Sequence, residues 1–273
     1  ALAAAAIRHH NVIAVTDFGV AMGTMPFLVM EFVEGESLHD MLAREHRLAP
    51  EKAVELMSAI CAGVGAAHRQ GIVHRDLKPL NVMIQKDKPS LMESVKILDF
   101  GLAKIKSGEL LGSFIQAQTT GLMGSPYYMA PEQWADEEPD AQADIYSLGV
   151  MMFQVLAGDV PFKGSSIPAI MKKHLSDPPP SFAELGVQVP PMLEAAVRRT
   201  LEKDRSRRTQ TVEQMVEEMK SALGQSNSSS QIHQTGTAPL PVSSVHVMTN
   251  PPQARMFVDS VPVSESRPDG SLL

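Results

Sequence analysis

A short polar segment lies between two apolar runs, and its residue types could perform proton transfer and bind a metal ion. The segment reads HRDLKPLN (74–81), and a second polar group, DFG (99–101), follows a β-type run. Asp76 could accept a proton, and Lys78 could neutralise negative charge beside it. Asn81 and Asp99 offer the hard oxygen ligands that Mg²⁺ prefers. Taken alone, the segment could equally be a cluster of charged residues on a surface.

The order of four sequence blocks favours the catalytic interpretation. The blocks are HRDLKPLN (74–81), DFG (99–101), GSPYYMAPEQ (124–133) and DIYSLG (144–149), preceded by LVMEFVEGESL (28–38). Chance is a poor explanation for four such blocks in this order. Together they resemble the Ser/Thr protein kinases, specifically the bacterial branch that is similar to the eukaryotic enzymes. The resemblance covers about residues 1–223.

The elements that must position these blocks are short strands followed by helices. Periodicity predicts β-type runs at 12–15, 27–32, 82–84 and 95–98, and helices at 37–44, 50–70, 144–157, 166–175, 190–202 and 211–223. The expected fold class is therefore α+β. The resemblance makes it a protein-kinase-like fold, mainly the helical C-lobe with the last strands of the N-lobe. The insert QKDKPSLMES (85–94) is expected to be a hairpin that lengthens a turn.

The resemblance implies phosphoryl transfer from ATP with Mg²⁺ as the metal. Asp76 would accept the proton of the substrate hydroxyl, and Lys78 would neutralise charge near the γ-phosphate. Asn81 and Asp99 would hold the metal.

The hinge residues are implied to bind the nucleotide. Met30 matches the gatekeeper position, and the backbones of Glu31 and Val33 would contact adenine. Ser37, near the end of the hinge block, is also expected to bind the nucleotide. The apolar residues Leu28, Val29 and Met30 are also typical of a hydrophobic core, so their side chains say little about nucleotide binding.

The resemblance also assigns regulatory residues. Arg75 directly precedes Asp76, as in kinases that are switched by phosphorylation of the activation loop, where a phosphate would pair with this arginine. Thr119 and Thr120 lie where bacterial relatives carry their activating threonines. The alternative is that both are solvated threonines of a long loop.

Six further residues are implied to have structural roles. They are His74, Phe100, Gly101, Glu132, Asp144 and Arg208. His74 is expected to pack and form hydrogen bonds, and Gly101 to permit the backbone that aims Asp99 inward. Glu132 is expected to form a buried ion pair with Arg208, or alternatively with Arg207. Asp144 is expected to hold the backbone of the catalytic loop.

The N-terminal part of the sequence departs from the family's pattern. Kinases of this type use a Gly-rich loop over the phosphates, a strand lysine and a helix glutamate. None can be assigned, because no Gly-rich loop precedes Val12 and no lysine precedes Lys52. We expect an N-terminally truncated kinase domain with exposed apolar surface on the hinge strands and weak or no activity by itself. Leu80 also departs from the pattern, which most often has Glu there.

Composition changes after the expected kinase domain, 1–223. Residues 224–244 are polar and Ser-rich, which is typical of a flexible linker. Residues 245–273 contain β-type runs at 245–247 and 255–259. This last segment is expected to be a partial β segment, either similar to the opening of a PEGA-type domain or an unstructured tail.

Net charge, cysteine content and hydropathy indicate which kinds of partner and location to expect. The net charge of −7 implies no large basic surface, so nucleic acid is not expected as a partner. The only cysteine, Cys61, lies in an apolar helical context, and no segment is apolar enough for a membrane span. We expect a cytoplasmic location. The resemblance implies ATP and protein substrates as partners, and a homodimer as the form for trans-autophosphorylation.

Two other functions compete with a protein kinase. A non-catalytic, pseudokinase-like binding module would explain the missing lysine and Gly-rich loop, whereas intact Asp76, Lys78, Asn81 and Asp99 speak against it. A small-molecule phosphotransferase of the aminoglycoside type shares the catalytic Asp, the Asn and the metal Asp. It would lack the MAPEQ block, which this chain has.

Overall fold

The computed structural model describes residues 7–21, 25–100, 125–135, 137–230, 257–258 and 261–262. The chain divides into two compact units, residues 1–229 and 230–273. The strands of the first unit are β1 (Val15–Ala21), β2 (Met25–Met30), β3 (Gly35–Ser37), β4 (Val82–Gln85) and β5 (Val95–Ile97). Its long helices are α1 (Leu38–Glu45), α2 (Pro50–His68), α5 (Ala141–Ala157), α6 (Ile167–Ser176), α7 (Pro191–Thr200) and α8 (Val212–Ser230), and α3 (Leu91–Ser94) and α4 (Pro131–Trp134) are single turns.

Helix α5 forms the centre of the core because its sequence is apolar on all sides. Thirteen of its residues are buried, as expected of a helix that is hydrophobic all round. Asp140 begins the helix by accepting the Gln142 N–H at 2.9 Å. Gly158, at φ 87°, ends it in the left-handed conformation that glycine adopts most readily.

One close approach fixes the packing of α5 against α7. A Cβ on Gly149 would lie 2.1 Å from Oγ1 of Thr200, so only glycine fits there. Helix α2 packs on the same core and buries thirteen of its residues, Cys61 among them. Burial raises the pKa of the Cys61 thiol to about 12, so this cysteine is a core residue and not a reactive one.

The three-stranded sheet β3–β4–β5 brings the polar blocks together. All its pairings are antiparallel, with Ser37 opposite Met83 and Val82 opposite Ile97. Val12 adds an isolated parallel bridge to Ile97. The residues before β4 and the residues after β5 therefore meet at one end of the sheet.

The hairpin of β1 and β2 exposes apolar side chains. Its register pairs Phe18 with Leu28 and Val20 with Pro26. Exposed large side chains on or just after these strands are Phe18, Val20, Phe27, Val29, Met30 and Phe32. Exposed apolar surface was expected here from the sequence.

The structure corrects three boundaries predicted from periodicity. The first strand begins at Val15, and of residues 12–14 only Val12 contributes a bridge. The insert at 85–94 contains the helical turn α3, since the Ser90 hydroxyl accepts the Glu93 N–H at 3.3 Å and caps it. Helix α8 continues to Ser230, so the first residues of the expected linker have helical backbone.

In the second unit the structure describes two short strands. These are β6 (Phe257–Val258) and β7 (Val261–Pro262), which pair antiparallel. Strand β6 falls within the β-type run predicted at 255–259. The run predicted at 245–247 lies outside the described residues.

Candidate active site

The backbone of the catalytic loop is tied to helix α5 by Asp144. The buried carboxylate accepts the His74 N–H at 2.8 Å on Oδ2 and the Arg75 N–H at 2.9 Å on Oδ1. Nε2 of His68, the last residue of α2, lies 2.8 Å from Oδ2 of Asp144. One carboxylate thus joins the end of α2, the loop and α5. Sequence reasoning missed His68, because nothing in the pattern of α2 distinguishes it.

Arg75 adopts a backbone conformation that non-glycine residues rarely take. Its φ is 71°, in the left-handed region that costs about 1 kcal/mol or more for such a residue. The bond from its N–H to Asp144 and a bond from Nε2 of Gln133 to its carbonyl, at 2.9 Å, offset that strain. The strained residue directly precedes Asp76, so it sets the direction in which the loop presents that carboxylate.

Asp76, Lys78 and Asn81 form one hydrogen-bonded group. Nζ of Lys78 lies 2.7 Å from Oδ2 of Asp76. Nδ2 of Asn81 donates to the backbone carbonyl of Asp76 at 2.8 Å and lies 3.4 Å from its Oδ2. The loop therefore holds a carboxylate, an ammonium and an amide in contact. Asp76 stays partly exposed, so a substrate can reach its carboxylate.

Asp99 lies beside this group. The Leu98 N–H donates to the Asn81 carbonyl at 2.9 Å, and Asp99 follows with φ 59°. Nε2 of His74 lies 2.8 Å from the Leu98 carbonyl, and the His74 ring contacts the buried Phe100 ring at 4.7 Å between centroids. His74 thus packs and bonds in the scaffold between the two motifs.

The oxygen ligands present fit Mg²⁺ but do not form a complete protein cage. Within the described residues, no three His, Cys, Asp or Glu side chains cluster closely enough to hold a metal. Mg²⁺ commonly takes one or two protein oxygens and completes its shell with water and phosphate. Because Asn81 turns its NH₂ toward Asp76, its Oδ1 is the oxygen left for a metal.

The hinge presents backbone groups at the end of β2. The Glu31 N–H is already bonded to the Ala14 carbonyl at 2.9 Å, which leaves the Glu31 carbonyl for a ligand. Burial acts to raise the pKa of Glu31, but its hydrogen bonds with Lys96 and the Ala14 N–H outweigh this and lower the pKa. The Glu31 side chain therefore stays charged as part of the scaffold. Met30 is partly exposed.

The structure gives Ser37 a local role as the N-cap of α1. Its hydroxyl accepts the Asp40 N–H at 3.1 Å and donates to Oδ2 of Asp40 at 2.6 Å. These two bonds cap helix α1. The cap fixes Ser37 at the start of α1, and its contact with the nucleotide stays a prediction.

Arg75 faces an acidic side chain. Its Nη2 lies 3.1 Å from Oε1 of Glu138, an exposed residue just before α5. Sequence reasoning missed Glu138, since only the fold brings it to Arg75. Thr119, Thr120 and Gly101, which were predicted as regulatory or structural residues, lie outside the described residues.

The structure also places Glu132 against Arg208 and not against Arg207. Nη1 and Nη2 of Arg208 lie 2.7 and 3.1 Å from the two carboxylate oxygens of Glu132, and both residues are buried. Arg207 is exposed and pairs with Glu202.

Comparison with known proteins identifies the family. The model of the protein kinase domain matches residues 2–220. The chain belongs to the protein kinase family. A serine/threonine-protein kinase PknB from Mycolicibacterium smegmatis is 36% identical over 215 residues, which is 78% of this chain and 33% of that protein. A probable serine/threonine-protein kinase PknB from Lactococcus lactis is 37% identical over 216 residues, 79% of this chain and 33% of that protein.

The kinase chain spans about a third of the length of these relatives. The crystal structure of the PknI kinase domain from Mycobacterium tuberculosis superposes with a TM-score of 0.62 at 22% identity, covering 81% of this chain and 75% of that one. The α+β, protein-kinase-like fold predicted from the sequence is thereby confirmed. Among the described residues of this kinase domain and its tail, no helix has the length and apolar character needed to cross a bilayer.

Proposed function

We propose that the protein containing this chain is a serine/threonine protein kinase that transfers the γ-phosphoryl group of ATP to protein hydroxyls. The observation that carries the proposal is the contact group of Asp76, Lys78 and Asn81, held on α5 through Asp144. A carboxylate and an ammonium 2.7 Å apart are two of the groups that phosphoryl transfer uses. Membership of the kinase family supports the same reaction.

Each polar residue of the site has its own role in the proposed transfer. Asp76 orients the substrate hydroxyl and receives its proton as the oxygen bonds to phosphorus. Lys78 neutralises charge that develops on the transferred group, and the Asn81 amide fixes the loop while offering Oδ1 to the metal. Bound Mg·ATP would supply the phosphoryl group and a cation that neutralises phosphate charge, and ADP would leave as the bond to the γ-phosphorus breaks. The Glu31 carbonyl and the Val33 N–H would face adenine.

Regulation is proposed at Arg75. A phosphate on Thr119 or Thr120 would compete with Glu138 for the Arg75 guanidinium and order the segment between DFG and MAPEQ. A second copy of the protein would be the agent that adds this phosphate. We place these steps in the cell interior, where ATP and protein substrates are available.

A non-catalytic binding module is the second candidate. It is favoured by one feature, which is that residues 1–51 contain no lysine to contact the nucleotide phosphates. We therefore expect residues 1–273 alone to bind ATP weakly and to transfer phosphate slowly or not at all.

The test is incorporation of labelled phosphate from γ-labelled ATP into a protein mixture, followed by phosphoamino-acid analysis. The chain 1–273 and the product of the whole coding region are assayed side by side, with and without Mg²⁺. Mg²⁺-dependent phosphoserine or phosphothreonine from the second sample is the expected result. Its absence from both samples would favour the binding module.

A further inference from the structure

A cavity of about 450 Å³ lies where two loops meet the C-terminal end of α5. Its wall consists of residues 47–50, Leu156 and residues 186–189, and it shares no residue with the catalytic loop at 74–81. The volume is within the range of ligand-binding pockets. We call this cavity the 186–189 groove.

Both loops of the groove are fixed by the core around α5. The Leu48 N–H donates to the Val155 carbonyl at 2.8 Å. On the other side, the Val187 N–H donates to the Phe182 carbonyl at 2.9 Å. The buried Phe182 ring stacks on the Phe153 ring of α5, with 4.7 Å between the centroids. The groove therefore has its shape before a ligand arrives.

The loop at 186–189 offers main-chain groups to a ligand. Among the described residues, nothing accepts from the N–H groups of Gln188 and Val189, and nothing donates to their carbonyls. Val189 precedes Pro190, which favours an extended backbone at Val189. A short extended stretch with unpaired N–H and carbonyl groups can pair with a peptide as the edge of a sheet does.

Arg47 gives the groove its charge preference. It is the only charged residue in the wall, and its side chain is exposed. Glu45 and Asp159 are held by other cations, and within the described residues neither Glu51 nor any other carboxylate forms an ion pair with Arg47. The free guanidinium attracts a carboxylate and repels a basic side chain.

The remaining side chains of the groove are mainly apolar. Leu156 is buried, and Val187 and Val189 are half-buried. Leu185, directly before the loop, is 47% exposed, and Met192, shortly after it, is 55% exposed. Apolar surface thus continues along the chain beyond the cavity, which suits an extended segment better than a compact small molecule.

We propose that the 186–189 groove binds an extended peptide segment of a partner protein, in which an aliphatic side chain stands close to a glutamate or aspartate. The main chain of the segment pairs with Gln188 or Val189, the aliphatic side chain packs on the apolar wall, and the carboxylate pairs with Arg47. The inference goes beyond the proposed function, because this binding needs neither ATP nor a residue of the catalytic loop.

The test measures peptide binding to the full 273-residue chain without nucleotide. Fluorescent peptides carry one leucine in an alanine–glycine background, with glutamate, alanine or lysine at one of the three positions on either side. We expect one spacing at which glutamate lowers the Kd, measured by anisotropy, about fivefold relative to alanine, while lysine raises it. The peptide with that spacing should also slow hydrogen exchange at the Gln188 or Val189 amide, since that N–H gains an acceptor.

The variant Arg47→Glu should reverse the preference, so that the lysine peptide binds more tightly than the glutamate peptide. Arg207→Glu is the matched control, since Arg207 is 71% exposed and lies outside the wall, and it should keep the preference for glutamate.

The inference would be overturned by equal Kd values for the glutamate and lysine peptides, by an unchanged preference in Arg47→Glu, or by unaltered exchange at both amides. Slowing of these amides by acetate alone would assign the groove to a small anion. Slowing that grows with protein concentration in the absence of peptide would assign it to a second copy of the chain. Either result would also overturn the proposal.

Discussion

Arg208 and Glu132 form a two-point ion pair in the interior of the domain. Their side chains are 0% and 2% exposed, and Nη1 of Arg208 lies 2.7 Å from Oε1 of Glu132. Arg208 also donates to the carbonyls of Gln142 at 2.7 Å and Glu202 at 3.0 Å. The pair therefore joins the turn α4, which ends the MAPEQ block, to the segment between α7 and α8.

Removal of Arg208 should be strongly destabilising. Arg208→Met leaves the Glu132 carboxylate buried without its main counter-charge, so we expect the free energy of unfolding to fall by about 3–5 kcal/mol. Urea denaturation followed by circular dichroism measures this. Arg207→Met is the control, since that side chain is 71% exposed, and it should change the value by less than about 0.5 kcal/mol. Equal losses for the two variants would refute the scaffold role of the pair.

Asp144 should control the order of the catalytic loop. In Asp144→Asn an NH₂ group faces at least one backbone N–H, so a buried donor loses its acceptor at a cost of about 1–3 kcal/mol. We expect faster hydrogen exchange at the His74 and Arg75 amides. Asp140→Asn serves as the control, because Asn caps a helix as well as Asp does. Unchanged exchange at both amides in Asp144→Asn would show that the loop is held elsewhere.

Stability should fall in mild acid because of His174. Burial, with the positive charge of Lys203, lowers the pKa of His174 to about 3, although the Tyr127 backbone, acting as an acceptor toward the ring, offsets part of this. Its ring contacts Tyr146 and Phe162. Between about pH 6.5 and 3 the unfolded chain binds a proton that the folded chain does not, so the free energy of unfolding decreases as the pH falls.

Well below pH 6.5, His174 alone makes the free energy of unfolding change by about 1.4 kcal/mol per pH unit. Urea midpoints between pH 7 and 5 measure it. His174→Gln should flatten that part of the profile whatever its absolute stability, whereas the variant of an exposed histidine, His39→Gln, should keep it. A profile that is as steep in His174→Gln as in the unaltered chain would contradict the assignment.

The resemblance carried by the ordered motifs predicted the fold and named Asp76, Lys78 and Asn81 as site residues. The structure adds that Lys78 and Asn81 contact Asp76 within one loop. The partner of Arg75 could not be predicted in this way, since Glu138 is 63 residues away and only folding brings it near. The α3 turn was missed because one serine cap decides it.

The catalytic role of Asp76 is the central claim, and Asp76→Asn tests it most directly. Phosphate transfer by the product of the whole coding region is measured in a single turnover with saturating Mg·ATP, together with nucleotide affinity. We predict that Asp76→Asn slows transfer by at least about 100-fold, the lower range for a lost general base, while the Kd of ATP stays within about twofold. Transfer at an undiminished rate in Asp76→Asn would contradict the account.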